Sequence, residues 1–180
     1  MSRRDSGMRL FIAIDPGDEI KDALCGAMDE LRKGGAEGRF SRRENLHLTL
    51  AFIGETEPGR LGDVKAAMEA VRFEPFLLTM TSPGRFRRDG GDILWYGADG
   101  GDALARLQRS LILELKRRGF APDEKAFRPH FTLAREAKNT PLIPENAKGL
   151  CRQIDGIELM KSERTAGRLV YTRVFSRKAD

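Results

Sequence analysis

Leu46-His47-Leu48-Thr49-Leu50 and Pro129-His130-Phe131-Thr132-Leu133 are two copies of one phrase: histidine, apolar residue, threonine, leucine. The chain contains only two histidines, and both stand in this phrase. There are eight threonines in 180 residues, so a threonine two places after a given histidine has a chance of roughly 4%. For both histidines the chance is on the order of 0.2%, and coincidence is a poor explanation of the pair. In a strand, alternate side chains share a face. Leu46, Leu48 and Leu50 then point one way, and His47, Thr49 and Ala51 the other. In the second copy Phe131 and Leu133 oppose His130, Thr132 and Ala134. The apolar faces belong against helices. The His/Thr faces are left to line a cleft, with the small alanines leaving room for a ligand.

Reading outward, the same order of elements surrounds each phrase. The apolar run Leu10 to Ile14 reads as a buried strand closed by Asp15-Pro16-Gly17. Ile20, Leu24, Ala27, Met28 and Leu31 predict a helix over 18–33. Arg39 to Asn45 reads as a polar connection, Leu46 to Ile53 as the first motif strand, and Leu61, Val64, Met68 and Val71 as a helix after Pro58. Phe76 to Thr81 reads as a strand and Ser82 to Gly91 as a basic loop. Then come the strand Ile93 to Tyr96, a helix marked by Leu104, Leu107, Leu111, Ile112 and Leu115, and the second motif strand, Arg128 to Arg135. A short helix over 144–151 and a closing hairpin, 157–163 with 168–175, complete the chain. The offset of 83 between the motifs carries Phe11 onto Leu94 without an insertion, and the helices follow. The pattern is that of an internal duplication. Two equivalent α+β units set around a pseudo-twofold axis bring the two phrases face to face.

Composition bounds the rest. Apolar residues make up 40% of the chain, enough for a real core, and 180 residues suit one domain of two joined lobes, 8–180 after a flexible leader over 1–7. No apolar run is long enough to span a membrane, and no signal-peptide pattern opens the sequence. Cys25 and Cys151 are far apart without CxxC spacing, which points to a reducing, cytoplasmic setting. The net charge of +5 favours anionic partners, nucleic acid among them.

Two facing imidazoles suit one chemistry. A neutral ring takes a proton from a nucleophile while a protonated ring gives one to a leaving oxygen. Threonine hydroxyls two residues away hydrogen-bond the anionic oxygens between them. A phosphodiester in in-line displacement has this layout. No metal and no cofactor is expected, since two histidines without Asp or Glu at ligand spacing make a poor metal site.

The phrases Arg9-Leu10-Phe11-Ile12-Ala13-Ile14, Glu44-Asn45-Leu46-His47-Leu48-Thr49-Leu50-Ala51-Phe52-Ile53-Gly54-Glu55 and Phe127-Arg128-Pro129-His130-Phe131-Thr132-Leu133-Ala134-Arg135 resemble the 2H phosphoesterase superfamily. Within it they resemble the RNA 2′,3′-cyclic phosphodiesterases, also called 2′-5′ RNA ligases. The resemblance runs from Met8 to about Phe175. It implies a bilobal α+β fold, two pseudo-symmetric antiparallel sheets with helices outside and a central cleft between them. It implies opening of a 2′,3′-cyclic phosphate at an RNA end to a 2′-phosphomonoester, with His47 as proton donor, His130 as proton acceptor, and Thr49 and Thr132 on the phosphate oxygens. The residues alone do not tell acid from base, because the two sites read alike. Arg135 matches a phosphate-binding position of the family, yet strict alternation puts it on the wrong face from His130 unless the strand twists or ends. Arg128 shares parity with His130, and a surface role is equally open to it. Phe11 is a candidate for contacting the terminal base, against a plainer reading as core; Trp95 and Tyr96 could each stack on a base or pack. The partners implied are RNA ends bearing 2′,3′-cyclic phosphate, tRNA fragments and cyclic nucleotides, acted on by a monomer. The alternatives are a 2′-5′ RNA ligase joining RNA ends and a non-catalytic RNA-end binding protein.

Overall fold

The run Leu10–Ile14 forms the heart of strand β1 (Met8–Ile14), whose last five residues are all buried. The computed structural model describes residues 7–180. The leader expected over 1–7 lies outside the described residues except for Gly7. After β1 come α1 (Gly17–Lys33), β2 (Glu37–Phe40), β3 (Leu48–Thr56), α2 (Leu61–Ala70), β4 (Phe76–Phe86) and β5 (Asp92–Asp99). They are followed by α3 (Gly101–Arg117), β6 (His130–Lys138), β7 (Cys151–Ile154), β8 (Gly156–Thr165) and β9 (Arg168–Lys178).

The helices bury the faces their spacing predicts: Ile20, Leu24, Ala27, Met28 and Leu31 in α1, and Leu104, Leu107, Leu111 and Leu115 in α3. Each fully buried Leu or Ile stabilises by about 1.5–3 kcal/mol relative to exposure. Lys116 and Arg117 sit in the last turn of α3, where the helix dipole favours cations.

The described strands form one antiparallel sheet in the order β7-β4-β5-β6-β3-β1-β8-β9, with β2 also paired to β6. The two sheets expected from the repeat are its two halves, β3-β1-β8-β9 and β6-β5-β4-β7. They meet through one register pair, Leu48 with Phe131. The helices cross the seam. α1 follows β1 yet packs on the second half, where Asn146 donates to the Ala23 carbonyl at 2.7 Å and Pro141 lies against Gly34. α3 follows β5 yet reaches the first half, where Gln108 Nε2 donates to the Leu50 carbonyl at 3.4 Å. The halves are thereby interlocked around one core, and Leu48 and Phe131 at the seam are both fully buried.

Four details depart from expectation. The polar connection 39–45 contains β2, whose Phe40 pairs with Ala134. The loop expected at 82–91 is strand as far as Phe86: the register slips between Met80 and Pro83, and a bulge accommodates a proline that cannot donate to the ladder. The helix expected over 144–151 is a turn at 146–149, in which the N–H of Gly149, at φ 85, donates to the Met80 carbonyl of β4 just before β7 begins. Finally, Ala13 pairs with Thr49 and Trp95 with Thr132, so β1 maps onto β5 with an offset of 82. Phe11 corresponds to Ile93, not Leu94.

Candidate active site

The four motif side chains converge because of how β3 and β6 meet. With Leu48 opposite Phe131 in an antiparallel pair, one step along each strand sets His47 across from Thr132 and Thr49 across from His130. All four project from the face that carries no helices. Their apolar neighbours Leu46, Leu48, Phe131 and Leu133 project into the core.

Both strands then break alternation at the same place. Ala13 pairs with Thr49 and Ile12 with Ala51, leaving Leu50 as an extra residue. Trp95 pairs with Thr132 and Leu94 with Ala134, leaving Leu133. A bulge of this kind moves every later side chain to the opposite face. Leu50 and Ala51 are therefore both buried, as are Leu133 and Ala134. The alanines expected on the His/Thr face belong to the core instead. The same slip brings Arg135 onto the face of His130, which removes the obstacle that strict alternation posed. Its counterpart 83 residues earlier, Phe52, carries the Arg9 guanidinium 5.0 Å from its ring centroid. Among the described residues Arg135 makes no ion pair, whereas its neighbour Glu136 binds Arg39 at 2.7 Å.

Each histidine is oriented identically. His47 Nδ1 donates to the Asn45 carbonyl at 2.6 Å, and His130 Nδ1 donates to the Arg128 carbonyl at 2.6 Å. A carbonyl can only accept, so Nδ1 holds the proton and Nε2 is the basic nitrogen in both neutral rings. At His47 the Thr49 hydroxyl donates to Nε2 at 3.0 Å. These contacts are local, between residues two apart, so the motif itself sets the tautomer.

Aromatic rings wall both imidazoles. Phe11 and Tyr171 lie 4.7 and 5.0 Å from His47, centroid to centroid, and 4.9 Å from each other. Phe86 and Trp95 lie 5.5 and 6.3 Å from His130. The enclosure lowers the basicity of both rings. Burial is the main cause of pushing His47 down to about 4; the charges of Arg135 and His130 add to it, and the bond to Asn45 opposes it. His130 is also lowered, chiefly by burial and then by Arg135, against the bond to Arg128. The positive field of Arg135 is thus felt at both histidines.

The other candidates separate cleanly. Phe11 is 3% exposed and backs His47. Tyr96 is fully buried, and its hydroxyl accepts the Ala147 N–H at 3.1 Å, so it is core. Trp95, one residue earlier, is on the His130 face. Arg128 is exposed and orients His130 through its carbonyl. Tyr171 and Phe86 were not legible as site residues: one sits in the closing hairpin and the other in what reads as a loop. Among the described residues no three His, Cys, Asp or Glu side chains gather as a metal site, and no helix is long and apolar enough to cross a membrane.

Comparison with known proteins adds a second line. The model of the 2′-5′ RNA ligase superfamily matches residues 20–165. The RNA 2′,3′-cyclic phosphodiesterase of Archaeoglobus fulgidus is 33% identical over 140 residues, 77% of this chain and 78% of that one. That of Methanothermobacter thermautotrophicus is 30% identical over 176 residues, 92% of this chain and 95% of that one. The crystal structure of Escherichia coli LigT in apo form is similar at a TM-score of 0.84 and 27% identity, covering 97% of this chain and 98% of that chain.

Proposed function

The chain belongs to the 2′-5′ RNA ligase superfamily, and from that premise we propose that it is a metal-independent hydrolase opening RNA terminal 2′,3′-cyclic phosphates to 2′-phosphomonoesters. The observation that carries the reading is the seam. The pairing of Leu48 with Phe131 brings two His/Thr pairs onto one face, each histidine across from the other motif's threonine.

In this mechanism the cyclic phosphate lies between the two rings. His130 Nε2 removes a proton from water, and the water oxygen bonds to phosphorus. The phosphorus–O3′ bond breaks on the far side, and O3′ takes a proton from His47 Nε2. The single product carries the water oxygen on phosphorus and the proton from His47 on O3′; His130 keeps the proton taken from water, so the histidines exchange protonation states. Thr49, Thr132 and Arg135 hold the non-bridging oxygens, whose charge grows as the bond breaks.

His47, pushed down to about 4, must carry a proton to act as the acid. The substrate supplies the means: an anion within a few ångströms favours the charged imidazolium. It also competes for the Thr49 hydroxyl and frees Nε2. His130 begins neutral, and among the described residues its Nε2 has no hydrogen-bond partner, which suits a base. The assignment of acid and base follows the family resemblance, and it requires the bound anion to raise the basicity of His47.

Incubation of the purified protein with an RNA ending in 2′,3′-cyclic phosphate, in EDTA, tests the reading. Ring opening is expected, with a loss of roughly 10²–10⁴-fold in His47→Ala and in His130→Ala, the range for one acid or base. Full activity in either folded variant, or dependence on added metal, overturns it.

A further inference from the structure

The two histidines are walled unequally, and the inequality is in the strand next to each motif. Beside Thr49 in the register stands Ala13, and beside Thr132 stands Trp95. Against His47 this leaves a small cavity of about 20 Å³ bordered by Ala13, Met160 and Tyr171, room for roughly one water. Against His130 a flat indole fills the equivalent place.

That indole is seated, not wedged. Gly84 is its partner on β4, and a Cβ at residue 84 would lie 2.4 Å from a ring carbon of Trp95. Only glycine lets the ring lie on the strand. Phe86, two residues on, sits 5.2 Å away with its plane tilted by 34° from the indole. Both rings are partly exposed, and Trp95 Nε1 has no hydrogen-bond partner among the described residues. A tryptophan needed only for packing has no reason to stand on the face opposite the core, next to a tyrosine that is wholly buried in it.

Given the phosphodiesterase reading above, on which this inference rests, the terminal ribose lies on the His47 side, because its O3′ leaves there. The nucleophile's side is then the His130 side. Water needs no aromatic platform. We propose that Trp95, backed by Gly84 and flanked by Phe86, is a nucleobase-stacking subsite for a second nucleoside, one whose 5′ oxygen is esterified to the same phosphate and occupies the position of the attacking water. Bases of any identity present a π-face to such a platform. The guanidinium of Arg135, without an ion pair among the described residues, lies on the same face and suits the phosphate that joins the two nucleosides.

The chain has one tryptophan, so its fluorescence reports this subsite directly. The test compares a 2′-5′-linked diadenosine monophosphate with adenosine 2′-monophosphate, each titrated against the intact protein and each used as an inhibitor of cyclic phosphate opening. The dinucleotide is expected to quench Trp95 and to bind on the order of tenfold more tightly, the scale of one base–aromatic stack; the mononucleotide is expected to do neither. In Trp95→Leu, and in Gly84→Ala where the added methyl lifts the indole, the ratio of the two inhibition constants falls towards one, and Trp95→Phe retains part of it. Equal binding of both ligands by the intact protein, a ratio unchanged in Trp95→Leu, or equal weakening of both ligands in that variant overturns the proposal. If cyclic phosphates are not opened at all, the phosphodiesterase reading fails by itself, and the fluorescence titration still decides the subsite: quenching by the dinucleotide alone supports it, and no quenching by the dinucleotide overturns it.

Discussion

His47 should make the protein acid-sensitive by an amount that can be worked out. Its ring is pushed down to about 4 in the folded chain, against about 6.5 in the unfolded one. As pH falls below 6.5 the unfolded chain takes up this proton first, so folding loses stability until the folded ring also titrates near 4. Between pH 7 and pH 5 the linkage relation gives a loss of about 2 kcal/mol from this residue. In His47→Gln the site binds no proton in either state and the loss disappears. Urea denaturation of both proteins at pH 7 and pH 5, in buffer free of phosphate, reads the double difference, in which contributions from His130 and the carboxylates cancel. Parallel losses in the two proteins would refute the burial of a neutral His47. Adding phosphate to the wild type should shrink the loss, because an anion between the rings stabilises the protonated form.

Arg135→Gln should lower kcat/KM by roughly 10–100-fold, the scale of one charge-assisted contact to an anion. It should also move the histidine limbs of the pH profile upward, since Arg135 lowers both rings; steady-state kinetics across pH 5–9 checks both effects. Phe131→Ala removes a fully buried ring at the seam and should cost about 3–5 kcal/mol, seen as a lower urea midpoint in one cooperative transition. Gln108→Leu removes a 3.4 Å contact to the Leu50 carbonyl and should change stability by no more than about 1 kcal/mol, measured in the same way.

The chemistry of the site was legible because the motif carries it locally. His47 and His130 each find their Nδ1 acceptor two residues back, and the alternation of Leu46, Leu48, Phe131 and Leu133 announces which face is core. The helices were legible for the same reason, since Leu104, Leu107, Leu111 and Leu115 recur at helical spacing. The face of Arg135 was not, because it depends on one extra residue at Leu133, and a bulge leaves no trace in composition. The correspondence of Phe11 with Ile93 was hidden likewise: the same bulges change the register of β1 and β5 without changing their hydrophobicity. Pro83 and Gly84 read as loop formers, although a slip in register takes the proline and an indole needs the glycine. Tyr171 reaches His47 only through the order β3-β1-β8-β9, which is a property of the whole sheet.

The most direct test of the paired-histidine mechanism is the identity of the phosphomonoester formed from an RNA 2′,3′-cyclic phosphate, read by NMR of the product. If His47 protonates O3′ while His130 activates water, every product carries its phosphate on O2′. A 3′-phosphomonoester, or a mixture of the two, would contradict it.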